Sequence, residues 1–371
     1  MAQRIHTVDA VRAVALFGIL MAHSHNFFNI WQPSVPAGSC DGVWEWLYAN
    51  VFVGKFFLVF AFLFGLSFFL QLDRAAAKGI DFRGRFCWRL VLLAGFGLVH
   101  SWFYCGDILL IFSITGFIPV LLWRVPTRCL AALCGLCLLQ PLALYHYASG
   151  TPAAMKDWYD VVRVAYGITW APSARTATFC EMGEWNICHG VWHSFLYTVY
   201  SYRIWALVGM YLLGMIAGRL RVFQGNMPGW RFILPVALLW GLVRALCSCC
   251  GGETYWHIIE PTLFVFWCVP VLTYVLGSMR MQRVVAPLGK LGRCTLTCYI
   301  TQSVVMLWLI CGYGAGLMGS LSISAVMSLG VCLYLVQLLA CNAWLRFFRY
   351  GPLEGLWRYL TRLGMQTKGA R

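Results

Sequence analysis

The chain has 371 residues, 61% hydrophobic and only 11% charged, against roughly 25% charged for an ordinary soluble domain. With a mean hydropathy of +0.72, that balance excludes a soluble enzyme and reads as an all-α, polytopic membrane helical bundle forming a single integral-membrane domain over 1–371. The net charge of +15 does not make nucleic acid a partner, because Lys and Arg fall in short clusters between apolar runs and form no basic arm.

Apolar runs of membrane-crossing length predict about ten spans, near 7–26, 51–71, 87–104, 107–123, 129–147, 203–220, 230–249, 256–279, 294–313 and 323–348. The first carries Asp9, Arg12, His23 and His25. A charge at the centre of a membrane helix costs at least about 2.5–3.5 kcal/mol, so such residues have a partner or a role. Asp9 and Arg12 stand three apart, close enough to pair on one helix face. Arg12 and His23 return to nearly the same face, about 16 Å apart along the axis. A polar stripe therefore runs along the first helix. Asp9 and Arg12 also interrupt the run too early for a cleaved signal, so it reads as a retained helix.

The connecting segments alternate in charge. Arg74, Lys78, Arg83, Arg85 and Arg89 crowd one, Arg124 and Arg128 flank a short turn, and further basic clusters fill 219–231, 280–293 and the tail. The segments 26–49, 101–106, 248–255 and 314–322 hold no Lys or Arg. Positive-inside counting then puts both termini in the cytoplasm of a bacterium, with the chain in its inner membrane. One connection is long. Within 149–202, the spacing of Trp158, Val161, Val162 and Ala165 predicts an amphipathic helix over 155–166 at the outer interface. That segment reads either as a lid or substrate platform or as a packing cap.

Most of the seventeen cysteines lie in or beside apolar runs, where Cys behaves as a small hydrophobe. Cys40, Cys105, Cys180, Cys188 and the group Cys247, Cys249 and Cys250 fall near outer loops, and Cys180–Cys188 is one disulfide that the spacing leaves open. No second ligand pair accompanies Cys247–Cys250, so no metal site is expected.

Buried polar candidates collect on the outer half: His100, Asp107, Arg203, Arg244, His257, Glu260 and Gln302. Arg85 and Arg89 mark the cytoplasmic end of the third span. An arginine at a helix end commonly snorkels to the interface, and Arg244 with Glu260 forms a simple helix-locking ion pair on the plainest reading. The chemistry these residues permit is acyl transfer. A neutral His23 takes a proton from an incoming hydroxyl, with Asp107 nearby to orient it or to bind the acceptor and Asp9 holding Arg12. Arg12, Arg85 and Arg89 clamp the phosphates of acyl-CoA, a donor substrate (acetyl-CoA in the simplest case) and not a permanently bound cofactor. His25, His100, Arg203, Arg244 and Glu260 stand on the side of the acceptor, a glycan or lipid headgroup. The rival reading is a transporter of a small polar or amphipathic solute, with Asp9 or Asp107 titrating along the same stripe. A non-catalytic scaffold is the third.

Several stretches carry a resemblance. Val8-Asp9-x-x-Arg12-Ala13-x-Ala15-Leu16-Phe17-Gly18, Phe62-Leu63-Phe64-Gly65-Leu66 and Gly106-Asp107-Ile108-Leu109-Leu110 are similar to YeiB-like membrane proteins. So are the run from Gly292-Arg293 through Tyr299 to Gln302-Ser303 and the tail Tyr350-Gly351-Pro352-Leu353-Glu354-Gly355-Leu356-Trp357-Arg358. The last two resemble the domain of unknown function 418, expected over about 203–371. The first helix also resembles transmembrane acyltransferases, among them the acyltransferase-3 group and the heparan acetyltransferase; the acyltransferase-3 group carries Arg, ten residues and then His, and Arg12 and His23 reproduce that spacing. That resemblance implies acyl transfer from cytoplasmic acyl-CoA to an acceptor on the far side. YeiB-like proteins more often carry Asn at the position of His23 and Gly at that of Ala13, so the chain departs here from its nearer relatives. Arg85 and Arg89 match the arginine pair of the acyltransferase-3 group only loosely.

Overall fold

The computed structural model describes residues 6–29, 40–150, 160–162, 164, 173, 176–225, 227–249 and 255–366. Among them eight helical segments are long and apolar enough to cross a membrane, and a bent helix pair makes a ninth. The chain is an all-α polytopic membrane bundle. In order it runs α1 (His6–Asn29), α2 (Asp41–Leu47) with a π-turn at Tyr48–Phe52, α3 (Phe56–Ala76), α4 (Arg83–Phe103), α5 (Leu109–Thr115), α6 (Phe117–Leu121), α7 (Thr127–Leu139) and α8 (Pro141–Ala148). Next come α9 (Phe179–Trp185), a π-turn at Asn186–Gly190, α10 (Val191–Tyr200), α11 (Arg203–Arg219), α12 (Trp230–Cys249), α13 (Tyr255–Gly277), α14 (Gln282–Leu291), α15 (Thr295–Ile310), α16 (Ile323–Phe347) and α17 (Pro352–Gln366).

One of the expected runs is too short to span, and another crosses as one segment, Thr127–Ala148, with a helix break inside it. Residues 107–123 fold as the short pair α5 and α6, which together fall below membrane-crossing length. Residues 129–147 break at Gln140, whose backbone is left-handed (φ 49°). The cause is Pro141, which disfavours helical backbone at the residue before it. Of the expected helix over 155–166, residues 160–162 and 164 are described and helical, and the rest lies outside the described residues.

α1 is the centre of the bundle. Ala10, Val11, Ala13, Ala15, Leu16 and Met21 have no exposed surface, and the helix packs against α3, α13, α14, α15 and α16. The small residues on it let these neighbours come close, which is how helices associate where lipid removes the hydrophobic drive. α3 and α11 show the same device. A Cβ at Gly65 would overlap the Tyr211 carbonyl, and one at Gly214 would overlap the Phe62 carbonyl. By contrast, α12 lies at the edge, with Leu234, Leu238 and Leu242 exposed along one face. That spacing makes a lipid-facing stripe.

The broken span sits at the N-terminal end of α1. Helices α14 and α15 meet at 74°, and their junction residue Gly292 lies so close that a Cβ there would overlap the Asp9 carbonyl. Helix α17 closes this end. Its Glu354 caps α15, with Oε1 accepting from the Leu296 and Thr297 amides at 2.7 and 3.1 Å and Oε2 accepting from the Thr297 hydroxyl at 2.7 Å. Trp357 donates to the Arg89 carbonyl at 3.1 Å and Trp88 to the Leu360 carbonyl at 3.2 Å, tying α17 to α4. The cysteines among the described residues are free thiols, Cys180 and Cys188 included, so the disulfide left open between those two is not formed.

Because backbone contact at Gly214 leaves no room for a side chain, Gly214→Leu should cost about 1–3 kcal/mol or more. Its thermal midpoint, read by fluorescence-detected size exclusion, should fall by several degrees. Gly241→Leu, in open space on α12, should melt like the parent; equal midpoints for the two variants would contradict this packing.

Candidate functional site

Two cavities follow one another along α1. The first, of about 260 Å³, opens among Asp9, Arg12, Arg89, Arg293, Glu354 and Arg358 and continues between Leu16, Leu63, Phe64, Phe68, Leu90 and Phe112. Its mouth is cationic and its depth apolar. The second, of about 300 Å³, is lined by His23, Tyr48, Tyr104, Asp107, Ser194, Tyr197 and Arg203 among others. The two share Ile19 and Ile108 as wall residues. The arginine cavity and the histidine cavity therefore meet at Ile19 of α1, with Arg12 and His23 about three turns apart.

In the arginine cavity, the expected Asp9–Arg12 pair is formed at 2.6 Å. Arg12 also donates to the Ser67 hydroxyl on α3, which fixes the guanidinium across two helices. Arg89 lies over the Trp357 ring at 4.2 Å, and its buried Nε makes no hydrogen bond. Arg293 donates to the Arg349 carbonyl at 2.6 Å, and Arg358 lies over Tyr350. Burial pushes the Glu354 carboxyl above the usual carboxylate range, while its Thr297 and Leu296 donors pull against that shift. Arg85 does not join this group. It lies over the Phe82 ring at 5.4 Å and is absent from the cavity wall, because it sits one turn away from Arg89.

Beside the histidine cavity lies a cluster of four rings, of which His23 and Tyr104 line it while Tyr299 lines the arginine cavity. His23 lies 5.1 Å from Tyr104 and 6.0 Å from Tyr299 between centroids, and His100 lies 5.0 Å from Tyr299. Asp107 was expected to orient His23; its carboxylate instead meets His100 Nδ1 at 2.7 Å and accepts from the Leu110 amide at 2.8 Å. The reason is local. His100 ends α4 and Asp107 starts the turn into α5, so the chain folds back and brings the two together seven residues apart. The bond to Nδ1 leaves His100 Nε2 buried with no partner. His25 is not on the cavity wall; it stacks on Tyr48, which is, with centroids 3.4 Å apart.

The long connection over 149–202 supplies part of this cavity. Thr178 and Glu181 form a capping box that starts α9, Asn186 donates to the Trp102 carbonyl at 3.0 Å, and Ser194 donates to the Cys105 carbonyl at 2.6 Å. Ser194, Tyr197 and Thr198 of α10 then form one wall.

Arg244 and Glu260 do not pair, contrary to expectation. Arg244 donates to Asn50 Oδ1 at 2.7 Å, while Glu260 meets Lys55 at 3.2 Å and accepts from Trp240. Lys55 is 1% exposed and also reaches the Ala49 and Val53 carbonyls. It wins because it precedes α3 and projects into the bundle, whereas Arg244 is one turn further along α12. A lysine inside an apolar run was the signal for it. Neither Arg244 nor Glu260 lines a cavity. Gln302 is likewise satisfied internally, through Gln337, which reaches the Cys298 carbonyl and Thr301.

Residues 229–364 match the family described as protein of unknown function (DUF418), within the expected 203–371. The uncharacterized protein YeiB of Escherichia coli (strain K12) is 28% identical, with 97% of this chain and 96% of that protein covered. The uncharacterized protein YxaH of Bacillus subtilis (strain 168) is 26% identical over 98% of this chain and 96% of its own length. An uncharacterized 39.9 kDa protein of Bacillus acidopullulyticus is 24% identical over 97% and 94%. No solved structure matches the chain. The DUF418 region holds α14, α15 and α17, hence the Glu354 cap and two of the four cavity arginines.

Two outcomes test these interactions. Lys55→Met or Glu260→Leu alone leaves a buried unpaired charge and should cost about 3–5 kcal/mol, while the double variant should recover most of it; purely additive losses in thermal midpoint would contradict the pair. Glu354→Ala should cost about 1–2 kcal/mol as a lost helix cap. It should also raise hydrogen exchange at the Leu296 and Thr297 amides, and unaltered exchange there would count against the cap.

Proposed function

We propose that this protein is an inner-membrane acyltransferase that moves an acyl group from cytoplasmic acyl-CoA to a hydroxyl acceptor on the other side. The observation that carries the reading is the pair of cavities set back to back on α1, cationic and apolar on one side and histidine-bearing on the other. A reaction that joins two substrates from opposite faces of a membrane needs this arrangement. Both termini are cytoplasmic in this reading, because Arg89, Arg293 and Arg358 come from the basic segments and all line the arginine cavity.

Arg12, Arg89, Arg293 and Arg358 hold the phosphates of the coenzyme, as bidentate partners suited to oxyanions. The acyl thioester passes between the apolar residues toward Ile19 and Ile108. His23 accepts the proton of the acceptor hydroxyl, whose oxygen attacks the thioester carbonyl. A C–O bond forms, the C–S bond breaks, and the proton passes from His23 to the departing thiolate. His100, held by Asp107, is a positioning residue behind the reacting groups. Acyl-CoA is a substrate in this scheme, with no permanently bound cofactor.

The test is release of free coenzyme thiol from acetyl-CoA, in purified protein supplied with membrane extract as acceptor. His23→Ala should lower it by about a hundredfold or more at an unaltered melting temperature, and Arg12→Leu should weaken coenzyme binding about tenfold. Full release by His23→Ala would overturn the role of His23. Solute flux in proteoliposomes without any acyl donor would favour transport, with Ile19 and Ile108 as the gate between the two cavities.

A further inference from the structure

The polar groups of the histidine cavity are unequal in their commitments. Both oxygens of Asp107 are engaged, one by His100 Nδ1 and one by the Leu110 amide. Ser194 is committed to the Cys105 carbonyl and Thr198 to the Ser194 carbonyl. Arg203 differs. Its guanidinium lies over the Tyr197 ring at 5.0 Å, with Nη2 beside the Gly54 turn, and it makes no ion pair among the described residues.

Other arginines of the bundle are tied to oxygen atoms: Arg12 to Asp9 and Ser67, Arg219 to the Trp123 and Val125 carbonyls, and Arg244 to Asn50. An arginine at a helix end ordinarily reaches for the membrane interface, but Arg203 lines a cavity together with His23. A guanidinium held over a ring keeps N–H groups available, and these suit the two oxygens of a phosphate or carboxylate. The cavity thus offers an arginine with no ion-pair partner among the described residues at one place and a histidine at another.

We propose that the histidine cavity binds a hydroxylated molecule that carries a phosphate group, and that Arg203 holds this phosphate while the hydroxyl faces His23. The shared chemistry is a polyol phosphate, whether a lipid headgroup such as phosphatidylglycerol or a soluble sugar or glycerol phosphate. That the ligand serves as acyl acceptor rests on the acyl-transfer reading; that it binds does not.

The experiment is direct binding to purified protein in nanodiscs. Calorimetry compares sn-glycerol 3-phosphate with glycerol and glucose 6-phosphate with glucose, and thermal midpoints compare nanodiscs with and without phosphatidylglycerol. Phosphorylated probes should bind at least about tenfold tighter than their neutral partners. Arg203→Gln should remove this preference and Arg203→Lys should retain part of it. A response to phosphatidylglycerol alone assigns the lipid as source, and a response to the soluble probes alone assigns the soluble compound. Equal affinity for neutral and phosphorylated probes, no binding of any probe, or a full preference in Arg203→Gln would each overturn the proposal; the first two are read on the parent protein. Acetyl-CoA binding, measured in the same preparation, separates the two readings. Polyol phosphate without acetyl-CoA binding leaves this site standing and removes acyl transfer, and the reverse removes only this site.

Discussion

The enclosure of α1 is the constraint on which the rest depends. A helix that is buried along most of its length must satisfy its charges inside the protein, since an unsatisfied charge in hydrocarbon is among the costliest features a bundle can hold. Arg12 meets that demand by binding Asp9 on its own helix and Ser67 on α3. The broken span then presses Gly292 against the Asp9 carbonyl, and Tyr334 of α16 donates to the Ala13 carbonyl at 2.9 Å. Small residues on α1 make these approaches possible. The polar stripe and the close packing are two sides of one design.

The buried charges divide by what they touch. Lys55 and Glu260 face each other and hold the start of α3 to α12 and α13. Glu354 is spent on the exposed amides of α15, where a helix start offers donors and the positive end of its dipole. Asp107 is spent on His100. Each of these carboxylates has its own protein partners, although Glu354 and Asp107 also line the two cavities. Arg89, Arg293, Arg358 and Arg203 instead border space. Closed pairs hold helices in place; open cations are what a ligand meets. Sorting the ionisable groups this way separates scaffold from site more sharply than residue type does.

Much of this was legible in the residues themselves. The apolar runs, the Asp9–Arg12 pair and the relation of Arg12 to His23 follow from helical periodicity, which any α-helix must obey. The breaks at Gln140 and at Gly116 were less legible, because an apolar run does not disclose whether it bends. The partners of Arg244, Glu260 and Asp107 were not legible at all. Each had a plausible neighbour nearby in sequence or depth, and each found another: Asn50 for Arg244, Lys55 for Glu260, His100 for Asp107.

Sequence alone determined the membrane class, the order of the main helices and the presence of a charged stripe in the first one. These depend on composition and on the fixed rise and turn of the α-helix, and both are local properties. Only the tertiary structure decided which stripe residues face a cavity, that two cavities meet at Ile19 and Ile108, and that Arg293 and Arg358 join Arg12 and Arg89. Those facts depend on how distant helices are placed around α1. The same turn of helix faces hydrocarbon, protein or an open cavity according to what stands beside it.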